Sequence, residues 1–91
     1  MRDEEAEERI LSFIREKFLD GDPRGELDLD SPLLEWGVLN SMDTMVLISF
    51  IRDEMGLEVP FERINSRDLK NVRSIAQMLV ELSAQAQGAG R

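Results

Sequence analysis

The chain has 91 residues and a net charge of −8, from 19 acidic and 11 basic side chains, with no histidine, cysteine or tyrosine. That length supports one small domain with one modest core. The charge argues against nucleic acid or a membrane as partner and for transient docking on other proteins. The missing residue types exclude disulfides, thiolate metal sites and the usual neutral-pH proton shuttles, so an enzyme is not expected. A folded, monomeric protein of the reducing cytoplasm is expected, because 42% of the residues are hydrophobic and 33% charged, and the N-terminus is acidic with no signal-like or bilayer-length apolar run.

Ala6, Ile10, Phe13, Ile14 and Phe18 recur at spacings of three and four, which predicts an amphipathic first helix from Asp3 to Leu19. Gly21, Pro23 and Gly25 end it and open a long loop. Inside that loop Ser31-Pro32 reads as a cap with proline at the first helical position, and Leu33 to Trp36 as one turn closed by Gly37. Leu33, Leu34 and Trp36 are expected to pin the loop to the core. Asn40 then caps a second helix, Ser41 to Met55, which Gly56 ends. Leu57-Glu-Val-Pro60 is an extended connector, and Phe61 to Leu69 is ambiguous, with room for a short third helix. Val72, Ile75, Ala76, Leu79 and Val80 mark a last helix capped by Asn71. Residues 1–82 form the expected domain. Residues 83–91 lack large apolar groups and form an expected flexible tail.

The segment Leu34-Glu-Trp-Gly-Val-Leu-Asn40-Ser41-Met42-Asp43-Thr44 resembles the attachment motif of the acyl and peptidyl carrier proteins. That motif is normally an Asp-Ser-Leu stretch after a glycine and a hydrophobic pair. Glu58-Val-Pro60 and Val72 to Ile75 extend the likeness over roughly Glu5 to Leu82. The resemblance implies an all-α four-helix bundle, three main helices and one short, with a long loop between the first two. It also implies a function: a free-standing, non-catalytic carrier with 4'-phosphopantetheine on Ser41, holding acyl or aminoacyl groups as thioesters. The implied partners are a phosphopantetheinyl transferase, a loading enzyme, and downstream synthase or tailoring enzymes. Asn40 stands where the family usually has an aspartate, which in the resemblance helps the transferase hold its metal.

The second helix is apolar almost all round, more than one buried stripe requires. Leu47, Ile48, Ile51 and Met55 are the core candidates. Met42, Val46, Ser49 and Asp53 share a face with Ser41, and with Arg52 and Trp36 they make the expected docking surface. Fatty-acid carriers present acid where this chain has Val46 and Arg52, which favours a polyketide, nonribosomal peptide or antibiotic pathway. Asp20, Asp22 and Gly25 match the opening of a calcium-binding loop, but Arg24 and Ser31 break the pattern, so no metal site is expected. The competing reading is an unmodified helical interaction module that binds through the apolar second helix.

Overall fold

The structure, a computed structural model, describes residues 1–23 and 25–89, with side chains up to residue 85. Its described elements are helices α1 (Asp3–Phe18), α2 (Ser41–Met55) and α3 (Val72–Ala89), with a 3-10 turn at Phe61–Arg63 before α3. Among the described residues there is no strand and no helix long and apolar enough to cross a membrane. This is the small helical bundle expected, its short third element reduced to the 3-10 turn.

Helix α1 begins without a side-chain cap, but Asp3, Glu4 and Glu5 occupy its first turn and Arg15 and Lys17 its last, each sign matched to the helix dipole. Ala6, Ile10, Phe13 and Ile14 are buried against α3, which contributes Val72, Ile75, Ala76, Met78 and Leu79. Helix α2 adds Leu47 and Ile51 to the same cluster, and its Phe50 stacks on Phe13 with ring centroids 4.1 Å apart. Full burial of one such side chain stabilises the fold by about 1.5–3 kcal/mol, so the interlocked aliphatic residues set the helix arrangement.

The long first loop is tied down along its length. The Asp22 carboxylate accepts the Leu27 and Glu26 N–H groups at 3.0 and 3.1 Å, and Arg15 donates to the Leu27 carbonyl at 3.2 Å. Leu27 is thereby drawn into the core. Farther on, Leu33 N–H donates to the Lys70 carbonyl at 2.9 Å, Arg73 N–H to the Leu29 carbonyl at 3.0 Å, and the Arg73 guanidinium grips Asp30 at 2.8 Å.

Two expectations about this loop are corrected. Ser31 does not cap the following turn: its buried hydroxyl accepts Asp28 N–H at 2.9 Å and donates to the Asp28 carboxylate at 3.2 Å. Leu33 N–H, a donor such a cap would serve, is already held by Lys70. Of the three pins, only Leu33 is buried; Leu34 is 36% and Trp36 53% exposed, and Leu27, Val38 and Leu39 anchor the loop instead. The turn itself forms, with Trp36 N–H donating to the Pro32 carbonyl at 3.0 Å.

Helix α2 has the expected bounds. Gly56 closes it at φ 68°, a conformation glycine adopts without a Cβ penalty, and the Gly56 and Leu57 N–H groups both turn back to the Ile51 carbonyl. Ile48 and Met55, expected in the core, are only half-buried, while Thr44 is buried. Asn71 caps α3 by accepting Ser74 N–H at 2.8 Å. The backbone of α3 runs helically past Leu82, its last buried residue, through the segment expected to be a tail, because Ala and Gln prolong a helix already begun. Residues 90 and 91 of that segment lie outside the described residues.

Candidate functional site

Ser41 is the first residue of α2 and is exposed. Its position follows from the residue before it. Asn40 is extended, at φ −101° and ψ −173°, and its side-chain oxygen accepts Asp43 N–H at 2.8 Å while its carbonyl accepts Thr44 N–H at 2.8 Å. Because Asn40 does the capping, the Ser41 hydroxyl is left without a hydrogen-bond partner among the described residues. The first N–H groups of the helix have no intrahelical acceptor and lie at the positive end of its dipole. An anionic group on this hydroxyl would therefore sit in a favourable field.

Beside Ser41 opens a groove of about 500 Å³. One wall is Leu34 and Leu39 with Asn40, Ser41, Thr44 and Met45 of α2; the other is Ile64, Asn65, Ser66 and Leu69. None of these lining residues ionises at neutral pH, so the groove offers no general acid or base. It can hold a tethered chain without attacking it.

The second wall is stiffened from behind. The Asn65 amide donates to the Glu62 carbonyl and the Asp68 carboxylate, both at 2.8 Å, and its oxygen accepts Asp68 N–H at 2.8 Å. Arg63 reaches Asp68 at 3.2 Å and Glu81 of α3 at 2.9 Å. Partial burial opposes ionisation of Asp68, but the hydrogen bonds from Arg63 and Asn65 outweigh it and hold its carboxyl below the usual range.

Met42, Val46 and Trp36 are exposed, at 76%, 41% and 53%. Arg52 and Asp53 are exposed too and pair with each other at 3.1 Å. They do not lie beside Ser41: at 1.5 Å per residue they stand about 16–18 Å farther along α2. Beyond Ser41, the α2 residues that line the groove are Thr44 and Met45, not Met42 or Val46. Helical spacing from Ser41 already singles out Thr44 and Met45, at three and four residues, whereas Ile64 and Leu69 arrive only through tertiary folding. Asp22, weighed as a cation ligand, spends its carboxylate on the Leu27 and Glu26 N–H groups and on Arg15 at 3.6 Å.

The residues present fit a phosphopantetheine arm, since an exposed, unengaged hydroxyl at a helix start stands at the head of a non-ionisable groove. Residues 12–79, a span that contains Ser41, match the family model described as the phosphopantetheine attachment site. The chain is 27% identical over 84 residues to a probable acyl carrier protein, PigG, of Serratia sp. (strain ATCC 39006), covering 92% of this chain and 95% of that one. It is also similar to a chain in a crystal structure of an FAD-dependent dehydrogenase, with TM-score 0.70 and 31% identity. That likeness covers 77% of this chain's 91 residues and 97% of the other chain, which is therefore only about 72 residues long.

Proposed function

From the premise that this chain belongs to the phosphopantetheine-attachment family of carrier proteins, we propose that Ser41 is its attachment residue and that it carries acyl or aminoacyl intermediates between enzymes. Family members are carriers that a phosphopantetheinyl transferase modifies; when bound, the arm supplies the thiol that holds cargo as a thioester. The residues at the start of α2 each have a part in that reading. Ser41 offers the hydroxyl, Asn40 fixes the helix start and leaves that hydroxyl unengaged, and the α2 dipole favours the phosphodiester. The groove residues receive the arm.

The observation that carries the proposal is the exposed, unpartnered Ser41 hydroxyl at the start of α2. The finer reading is a cytoplasmic carrier for polyketide or nonribosomal peptide assembly, with residues 1–82 as its working domain. It is supported by an outer α2 face built from Met42, Met45 and Val46 instead of acid. A chain of about 72 residues is too short to be the flavoenzyme itself, so the likeness to a carrier-sized chain in that crystal supports an FAD-dependent dehydrogenase among the partners.

Intact mass after incubation with coenzyme A and a permissive transferase tests the proposal. The wild type should gain one phosphopantetheine. Ser41→Ala should gain none while keeping its helicity, because Asn40 still caps α2. Attachment to the variant would move the site elsewhere. Failure of the folded wild type to be modified would favour the unmodified interaction module.

A further inference from the structure

The turn between the 3-10 segment and α3 reverses the charge of the molecule close to Ser41. From Arg63 to Arg73 the chain carries Arg63, Arg67, Lys70 and Arg73 against the single acid Asp68, in a protein whose total is −8. Arg63 and Arg73 are committed to the fold, the first on Asp68 and Glu81, the second on Asp30. Arg2, Arg9, Arg15 and Arg52 likewise each have a carboxylate or a backbone carbonyl. Lys17 also lacks such a partner among the described residues, but it stands in the last turn of α1 and lines none of the grooves around Ser41 and this turn. Arg67 and Lys70 differ in lying on the turn itself. Both are exposed, and neither side chain makes a hydrogen bond or salt bridge within the described residues; Arg67 reaches Asp68 only as a through-space attraction.

Their position relates them to the attachment residue. Leu34 and Ser66 line the groove at Ser41 and also a neighbouring groove of about 410 Å³ that Lys70 lines. A third recess holds Lys70 and Arg67 together. The cations thus stand on ground continuous with the site. Their backbone is also fixed: Asn65 bonds Asp68, Leu69 is buried, and the Lys70 carbonyl accepts Leu33 N–H. Two charges on a rigid platform cost less to order on binding than the same charges on a mobile loop.

We propose that Arg67 and Lys70 form a docking rim for an acidic patch on a partner protein that approaches Ser41 over this turn. This rests on the carrier reading for what the partner comes to do, but not for the recognition itself. The rim is open and has no buried polar group aimed at a ligand, which suits a protein surface more than a small anion. Acids stand beside the rim as well, but Asp68 and Glu81 are held by Arg63 and Asp30 by Arg73. Arg67 and Lys70 therefore remain as uncompensated cations, with Glu35 lining the same groove as Lys70. Such two-signed surfaces fix the register of an encounter as well as its rate.

The test uses unmodified protein, so its outcome is independent of arm attachment. The 15N-labelled chain is titrated at low salt with a glutamate decapeptide and, separately, a lysine decapeptide. Glutamate should shift amides confined to residues 65–71 and their neighbours, and lysine should leave them unmoved. Arg67→Gln with Lys70→Gln, both exposed and so tolerated by the fold, should weaken glutamate binding about fivefold, as expected for two lost rim pairs. Added salt should reduce wild-type binding in the same way. Shifts elsewhere, or binding unchanged in the double variant, would overturn the proposal. So would the same shifts produced by inorganic phosphate or coenzyme A at lower concentration, which would make the rim a small-anion site.

Discussion

Helices α2 and α3 contain similar numbers of large apolar side chains but use them differently. In α3 every large apolar residue from Val72 to Leu82 is buried except the half-buried Val80. In α2 only Leu47 and Ile51 are buried among the eight from Met42 to Met55, and Met42, Met45 and Val46 are exposed. Helix α3 is a structural stave with polar residues facing water. Helix α2 splits its apolar surface between the core and the outside, at the helix that begins with Ser41. Isolated exposed apolar residues are ordinary, but three within five residues beside the exposed Ser41 hydroxyl form a cluster, the surface on which the proposed docking role rests.

The comparison breaks first by truncation. Ile51→Ala and Leu79→Ala remove fully buried aliphatic groups and should each cost about 2–5 kcal/mol, a large share of the stability of a domain this size. Met45→Ala, at a position 56% exposed, should cost about 0.5 kcal/mol or less. Urea unfolding of the three variants measures the difference. A Met45→Ala cost near that of Ile51→Ala would mean that α2 packs like α3 and has no free face.

A smaller effect concerns the outer face itself. Val46→Glu with Arg52→Glu should change stability by about half a kcal/mol, since Arg52 lies in solvent and Val46 is 41% exposed. It should nevertheless shift acyl transfer several-fold, away from the pathway's own enzymes and toward fatty-acid synthase enzymes, because docking faces select by charge complementarity. Lost helicity would place Val46 in the core. Unchanged preference would put recognition elsewhere, at Trp36 or the cationic turn.

Much of this division is legible in the sequence, and what is not has physical reasons. Helix ends are local events, so Asn40, Gly56 and Asn71 mark the ends of α2 and the start of α3 correctly. The excess apolar content of α2 likewise announces a second surface. Periodicity alone, however, cannot choose which half of an all-round apolar helix faces in, and so Ile48 and Met55 are placed too deep and Met45 is missed. The groove's far wall, Ile64 to Leu69, is held by Arg63–Asp68 and Arg63–Glu81 pairs that span up to 18 residues, and no local pattern encodes them. Ser31 misleads for the same reason: Lys70, far along the chain, takes the donor a cap would have served.

Acid should act on the loops that flank α2 before it acts on the helices. Asp22 is depressed chiefly by the Leu27 N–H, Asp30 by Arg73, and Asp68 by Arg63 and Asn65 against its own burial. Each carboxyl has a folded pKa below the unfolded value of about 3.9, so its contribution is full above that pH and is lost as pH falls through the folded value. Stability should therefore decline below about pH 4. Asp68→Asn should flatten that decline, because it removes one of the groups that takes up a proton on unfolding. An equally steep acid limb in the variant would remove Asp68 from the account.

The smallest effect on the fold, and the sharpest probe of the α2 start, is Asn40→Asp. Asparagine and aspartate cap about equally, and the bond that Asn40 makes to Asp43 N–H uses an oxygen that both possess. The added charge faces the positive end of α2 at an exposed position, so it should stabilise the helix by a few tenths of a kcal/mol. Its chemical consequence is larger. The resemblance assigns the usual aspartate a share in holding the transferase's metal, and Asn40 lacks the carboxylate to do so. The variant should accept the arm several-fold faster at limiting transferase, followed by mass spectrometry over time. Asn40→Ala separates the two roles, since losing the cap should cost about 1 kcal/mol and a poorer helix start would slow modification for a structural reason. If Asn40→Asp reacts no faster than wild type while both keep full helicity, the carboxylate is dispensable here and the start of α2 is already complete with its neutral cap.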